Sequence, residues 1–168
     1  MIQLEDLSGK KVLCFGISPG YTRQVFLKSL VEVGVDLTLL AFPGEKFLIN
    51  HNFNVISTDD KTLEHTLNSL SKEMFDGAVT YSEFRVLALS ESADRLSLQN
   101  QPLTKKAAEA SRDKGIMKTL FSTAGVPTTE FSLWTKRSEL EDALKALNLV
   151  GQDYILKPRL GTTSEGVY

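Results

Sequence analysis

The residues best able to do chemistry stand in the run YILKPRLGTTSEGVY, over 154–168. Lys157 closes a short apolar segment just before a loop with two glycines and three hydroxyl side chains. Gly161 and Gly166 let the backbone turn tightly and approach a ligand closely. Successive backbone N–H groups, with the hydroxyls of Thr162, Thr163 and Ser164, can donate to phosphate oxygens. Lys157 would add a point charge on the same phosphates. The same composition also suits a hairpin loop with a solvated lysine. A Walker A loop is excluded, because Val167 and Tyr168 stand where lysine and serine or threonine are required.

A second run, SRDKGIMKTLFSTAGVP, lies over 111–127. Asp113 sits near a helix start, where a carboxylate opposes the positive end of the dipole. Lys114 follows, and an amphipathic helix runs to a stop at Gly125 and Pro127. Taken alone, this is an ordinary helix with a solvated lysine. Two further places carry weaker signals. The turn over 16–20, Gly-Ile-Ser-Pro-Gly, lacks the third glycine of a dinucleotide fingerprint, and Pro19 removes a donor. Ser18 in that turn and Glu83 in TYSEF are candidates for substrate contact, Glu83 because open α/β sheets place ligands at the carboxyl ends of strands. For Glu83 a helix N-terminal carboxylate is the plainer account. His51 and His65 have no other ligands near them in sequence and are assigned to no metal. Asp59 and Asp60 precede a helix and read as caps.

These residues need a scaffold, and the chain alternates strand and helix patterns. Apolar runs at 11–16, 35–42, 53–57 and 76–81 read as strands, the first two nearly continuous and hence buried on both faces. Between them, 23–34 is helical with a stripe of Val25, Phe26, Ser29, Leu30 and Val33, and 61–73 carries Leu63, Leu67 and Leu70 on one face. A further helix is expected over 83–96. The pattern predicts a doubly wound parallel α/β sheet over residues 1–100. The polar, proline-containing stretch at 99–103 marks a boundary. After it come helices at 104–111 and 113–124, a strand at 130–134, a helix at 138–149 and a strand at 154–157, with Trp134 as a packing residue. The chain stops at Tyr168 just as another strand would begin, which is expected of a cut in a longer design.

In this order, with a strand and a helix between them, the two chemical runs resemble the ATP-grasp family of ligases. The matching pieces are Arg112-Asp113-Lys114, the AGVP stop over 124–127, ILKP over 155–158 and the glycine-rich GTTSEGV over 161–167. The α/β unit with TYSEF after its fourth strand resembles the pre-ATP-grasp domain. The resemblance implies a pre-ATP-grasp domain over 1–100 and an incomplete ATP-grasp α+β subdomain over 101–168. It implies that Lys114 and Lys157 contact the phosphates of ATP. It implies too that residues 161–166 form a mobile flap, with Ser164 a donor and Glu165 turned to solvent. In this family ATP phosphorylates a carboxylate, and an amine or thiol then displaces phosphate, with Mg2+ bridging the phosphates. The family's adenine hinge, magnesium ligands and acyl-phosphate arginine lie further along, so the catalytic residues are unknown here, no metal ligand is assigned, and the segment alone is expected to be inactive.

The whole-chain balance narrows the partners. A net charge of −2 and a pI near 5.7 give no general reason to bind nucleic acid. No run approaches the ~20 apolar residues needed to span a bilayer. Cys14, the one cysteine, cannot form an internal disulfide, which favours a cytoplasmic setting, and its apolar neighbours make it a buried hydrophobe. Small-molecule carboxylates and amines are the expected partners, and a homo-oligomer is left open. Two rivals stand beside the ligase: a non-catalytic protein that binds a partner through an open edge strand, and a Rossmann-type NAD-binding domain resting on residues 16–20.

Overall fold

Strand β1 (Lys11–Phe15) lies at the heart of a parallel sheet, flanked by β2 (Asp36–Ala41) and β4 (Gly77–Val79), with β3 (Asn54–Ser57) outside β2. The computed structural model describes residues 4–17, 20–70, 75–93, 95–98, 103–161 and 166–168. They fall into two units, Met1–Lys105 and Lys106–Tyr168. The sheet, in the order β3-β2-β1-β4, belongs to the first.

Alternation along the strands sends side chains to both faces. Leu13, Phe15 and Leu40 pack with Leu67 and Leu70 of α2 (Leu63–Leu70) and Leu89 of α3 (Val86–Ser92). Cys14, Leu37 and Leu39 pack on the other face with Leu27 of α1 (Tyr21–Glu32). Helices therefore cover both faces of the sheet, as the continuous apolar runs require, and the fold class is the expected α/β. Burial, with the Glu45 charge adding to it, pushes the Cys14 thiol up to about 12, which leaves it a packing group.

α1 buries a different face from the expected one. Val25 and Phe26 are 37% and 47% exposed, while Gln24 and Leu27 face inward. The reason is polar. The fully buried Gln24 amide donates from Nε2 to Lys46 O at 2.9 Å and accepts from Leu48 N at 2.6 Å. It thus satisfies two backbone groups of the loop after β2, and that requirement outranks the apolar stripe. The helix expected over 83–96 begins as a 3-10 turn, Glu83–Arg85, before α3. Asp59 caps the start of α2's turn as expected, accepting from Lys61 N and Thr62 N. Asp60 pairs with Arg85 instead.

Around the second unit run α4 (Lys105–Arg112), α5 (Lys114–Thr123) and α6 (Leu140–Ala146), the last entered through a 3-10 turn, Arg137–Glu139. The strands expected at 130–134 and 154–157 are not formed among the described residues. Leu156 and Tyr168 do exchange both backbone hydrogen bonds, at 2.8 and 3.0 Å, the unit of an antiparallel pair. A strand needs a partner along its whole length, and here one reciprocal pair closes the glycine loop without building a ladder. No helix among the described residues is long and apolar enough to cross a membrane.

The role of Gln24 is open to a direct test. Replacing it with leucine completes an apolar face yet strands two backbone groups. Gln24→Leu is expected to lower unfolding free energy by about 1–3 kcal/mol, measured by urea titration followed by circular dichroism. A gain in stability would show that the apolar stripe, not the hydrogen bonds, orients α1.

Candidate functional site

The second unit brings the two chemical runs together through one carboxylate. Asp113 takes extended backbone at the N-cap of α5, and its Oδ1 accepts from Gly115 N at 2.8 Å and Ile116 N at 3.1 Å. The same carboxylate accepts from Arg159 Nε at 3.1 Å and Nη2 at 2.5 Å. A bidentate guanidinium–carboxylate contact is both strong and orienting. The Arg159 guanidinium holds the Asp113 carboxyl below the usual carboxylate range, with the two helix N–H groups adding to it and burial opposing it. Next along α5, Lys114 N donates to Arg159 O at 3.0 Å, and Lys114 Nζ donates to Gly161 O at 3.0 Å. Gly115 makes this closeness possible. A Cβ there would stand 3.1 Å from Arg159 Nε, Asp113 Oδ1 and Leu133 Cδ1.

Of the expected phosphate-binding residues, Lys114 and Gly161 are therefore in contact. Gly161 and Gly166 have φ of 145° and 70°, the region that favours glycine, and both lie against the Pro158 ring. Lys157 is exposed and makes no hydrogen bond or ion pair among the described residues. Thr162, Thr163, Ser164 and Glu165 lie outside the described residues, as does Ser18. Lys114 keeps two further N–H donors beyond its bond to Gly161, so the cationic groups and the glycine turn suit a polyphosphate. Among the described residues no group of three or more His, Cys, Asp or Glu is placed to hold a metal ion. Arg159 is a residue that sequence reasoning left out. It stands two positions past Lys157, and only the 46-residue separation from Asp113 hid the pair.

The first unit carries its own polar cluster at the carboxyl end of the sheet. Glu45 Oε2 accepts from Ile17 N at 2.8 Å and Phe42 N at 2.9 Å, tying the turn after β1 to the loop after β2. Thr80 Oγ1 donates to Phe15 O at 2.7 Å, fixing the loop after β4 beside the same turn. The Arg85 guanidinium lies 3.5 Å from the centre of the Phe42 ring, and its Nη1 donates to Asp60 Oδ1 at 2.5 Å. Arg85 Nε is buried without a partner. An unpaired buried donor ordinarily costs roughly 1–3 kcal/mol. Glu83, the substrate candidate, is the exposed first residue of the neighbouring 3-10 turn. Arg85, two residues on, carries no sequence signal, because its partners Phe42 and Asp60 are remote in the chain.

No family model matches the chain. Alanine–anticapsin ligase of Bacillus subtilis (strain 168) is 37% identical over 98 residues, covering 56% of this chain and 20% of the relative. The enzyme of the same name from Bacillus amyloliquefaciens is 34% identical over 113 residues, covering 64% and 23%. The crystal structure of an L-amino acid ligase from Bacillus licheniformis shares the fold over 84% of this chain and 43% of its own, with a TM-score of 0.55 and 16% identity. The chain thus spans about a fifth of the curated relatives it matches. Over the part of their length that it spans, the chain is similar in sequence to these ligases and shares the fold of one, which supports the ATP-grasp ligase family that the order of its motifs resembles.

Proposed function

We propose that this chain is the N-terminal portion of a cytoplasmic ATP-dependent carboxylate–amine (or carboxylate–thiol) ligase. Residues 1–100 would be its pre-ATP-grasp domain and 101–168 the start of its ATP-grasp domain. The observation that carries the reading is the corner in which Asp113 grips Arg159 while Lys114 reaches Gly161. Both chemical runs lie in one unit, and the corner anchors one end of the glycine loop to a helix start.

In the proposed reaction a substrate carboxylate oxygen attacks the γ-phosphorus of ATP and ADP leaves. An amine then attacks the acyl carbon, inorganic phosphate leaves, and the amine loses a proton. Bound Mg2+ would neutralise charge on the phosphates. Lys114 and Lys157 would bind phosphate oxygens, and residues 161–166 would close over them, with Thr162, Thr163 and Ser164 as donors. Ser18 and Glu83 would face substrate at the carboxyl end of the sheet. The Asp113–Arg159 pair would position the flap rather than touch the nucleotide.

Three outcomes test the reading. In a full-length ligase that contains this segment, Lys157→Ala is expected to weaken ATP binding about tenfold or more in calorimetric titration, since a lost charge-assisted phosphate contact is worth that much. An unchanged affinity would undo the phosphate assignment, and a tight NAD complex in its place would favour the dinucleotide rival. The 168-residue chain alone, given ATP, Mg2+ and amino acids, is expected to release no ADP, and sustained release would contradict the division of the active site. The third outcome concerns pH. The folded pKa of Asp113 is lowered, so its stabilising contribution is complete above the unfolded carboxylate value of about 4 and is lost as pH falls through the lower folded value. Asp113→Asn retains a capping side chain, so it should be less stable than the parent at neutral pH, with the difference vanishing in acid. Asp113→Ala should lose about 1 kcal/mol more from the missing cap. A parent–Asn difference independent of pH would remove the ion pair from the account.

A further inference from the structure

The sheet of the first unit ends on β3, and that edge is poorly guarded. Parallel strands are ordinarily covered on both faces, yet Asn54, Val55 and Ser57 are exposed, while Ile56 packs on the core that holds α2. The direction of the backbone groups follows from the ladder. Thr58 N donates to Ala41 O at 2.9 Å, and alternate residues of a strand turn their polar groups to the same side. The N–H and C=O of Ile56 therefore face β2. Those of Val55 and Ser57 face outward, where they have no hydrogen-bond partner among the described residues. Natural edges are guarded by charges, proline or very short strands. Residues 52–58, Asn-Phe-Asn-Val-Ile-Ser-Thr, hold no charge and no proline, so shortness is the safeguard left. The other edge differs, because the charged pair Asp76–Lys10 stands just before β4.

We infer that two copies of this chain associate through β3, antiparallel about a two-fold axis at Ile56. The parity of the outward groups selects a second copy as the occupant. With Ile56 facing Ile56, Val55 of each copy lies opposite Ser57 of the other. Both residues carry outward donors and acceptors, so each pair exchanges two hydrogen bonds. A two-fold contact presents one surface to itself, and every outward group of the strand then has a partner. The Ile56 side chains meet as a closely spaced pair without hydrogen bonds. Asn54 falls opposite Thr58 and Phe53 opposite Asp59, so no like charges meet. On the α1 face, Val55 is 38% exposed, and Phe47, stacked on Phe53, is 39% exposed, which adds apolar surface beside the strand. A pair of four-residue strands falls short of the roughly 1,000 Å² that a stable interface buries, so the dimer exchanges with monomer. The inference stands apart from the ligase reading and needs no nucleotide.

The test is sedimentation velocity on the 168-residue chain over a wide range of concentration, together with amide hydrogen exchange. A reversible shift from 18.6 kDa toward twice that mass is expected, with the Val55 and Ser57 amides slowing as concentration rises. Val55→Pro removes an outward N–H and spares the β2 ladder, which uses Ile56 and Thr58. The two-fold counts each loss twice, so association should weaken about tenfold or more. A chain that stays monomeric at every concentration overturns the proposal. So does a dimer whose affinity Val55→Pro leaves unchanged, since it lies on another surface. Val55 and Ser57 amides protected equally at all concentrations would show the edge covered by the chain itself, and would overturn it too. Should Val55→Pro lose its folded spectrum, Ile56→Cys decides. Facing Cα atoms of such a pair stand about 4.5 Å apart, within disulfide reach. Oxidation with copper–phenanthroline should then cross-link the copies, while the parent, whose one thiol is the buried Cys14, should not. A folded Ile56→Cys chain that fails to cross-link overturns the pairing.

Discussion

One carboxylate organises the second unit. Asp113 satisfies two N–H groups at the start of α5 and receives two donors from Arg159, at separations of two, three and forty-six residues. Helix nucleation is costly, and an N-cap is where a short helix recovers part of that cost. Here the cap also holds the glycine loop. Because the Lys114 backbone N–H and side-chain ammonium reach Arg159 O and Gly161 O, the helix start and the loop share one hydrogen-bonded frame. Gly115 is the small residue that permits it, since a Cβ there would crowd Arg159 Nε, Asp113 Oδ1 and Leu133 Cδ1 at 3.1 Å.

The first unit is organised by a different constraint, the burial of β1 on both faces. Leu13 and Phe15 enter one core and Cys14 the other, so helices must cover each side, and the crossovers that supply them leave the loops at the carboxyl ends of the strands. Those loops then have to satisfy their own backbone. Glu45 does so for Ile17 and Phe42, Thr80 for Phe15, and Gln24 for Lys46 and Leu48. The polar cluster at the sheet end is thus in large part the price of ending four strands together. Among the described residues, Arg85 Nε and His51 Nε2 are the side-chain atoms buried without a hydrogen-bond partner.

What was legible in the sequence follows from how local each interaction is. β1 and β2 were readable because a strand buried on both faces needs a continuous apolar run. α2 was readable because Leu67 and Leu70 do face inward. The buried face of α1 was not, since Gln24 is inward for two hydrogen bonds to a loop more than twenty residues away, and no apolar periodicity records that. The strands of the second unit were over-read for a related reason: 130–134 and 154–157 have strand composition, but a ladder requires partner groups that composition cannot supply. Motif order grouped Lys114 with Gly161, and the two are in contact, whereas the contacts of Arg159 and Arg85 were not legible because each is defined by a partner distant in the chain.

Arginine braces both units, each time through a partner distant in the chain. Arg159 has its fork edge filled by Asp113, and the fork is then explained by the loop it holds in place. Arg85 uses Nη1 on Asp60 and rests its face on Phe42, so it ties the 3-10 turn after β4 to the loops after β2 and β3. Gly16 permits that approach, since a Cβ there would stand 3.2 Å from Arg85 Cγ and 2.9 Å from Glu45 Oε1. A planar guanidinium can make a ring contact and an ion pair at once, which a lysine ammonium cannot do with the same geometry, and that is why arginine suits a crowded strand end.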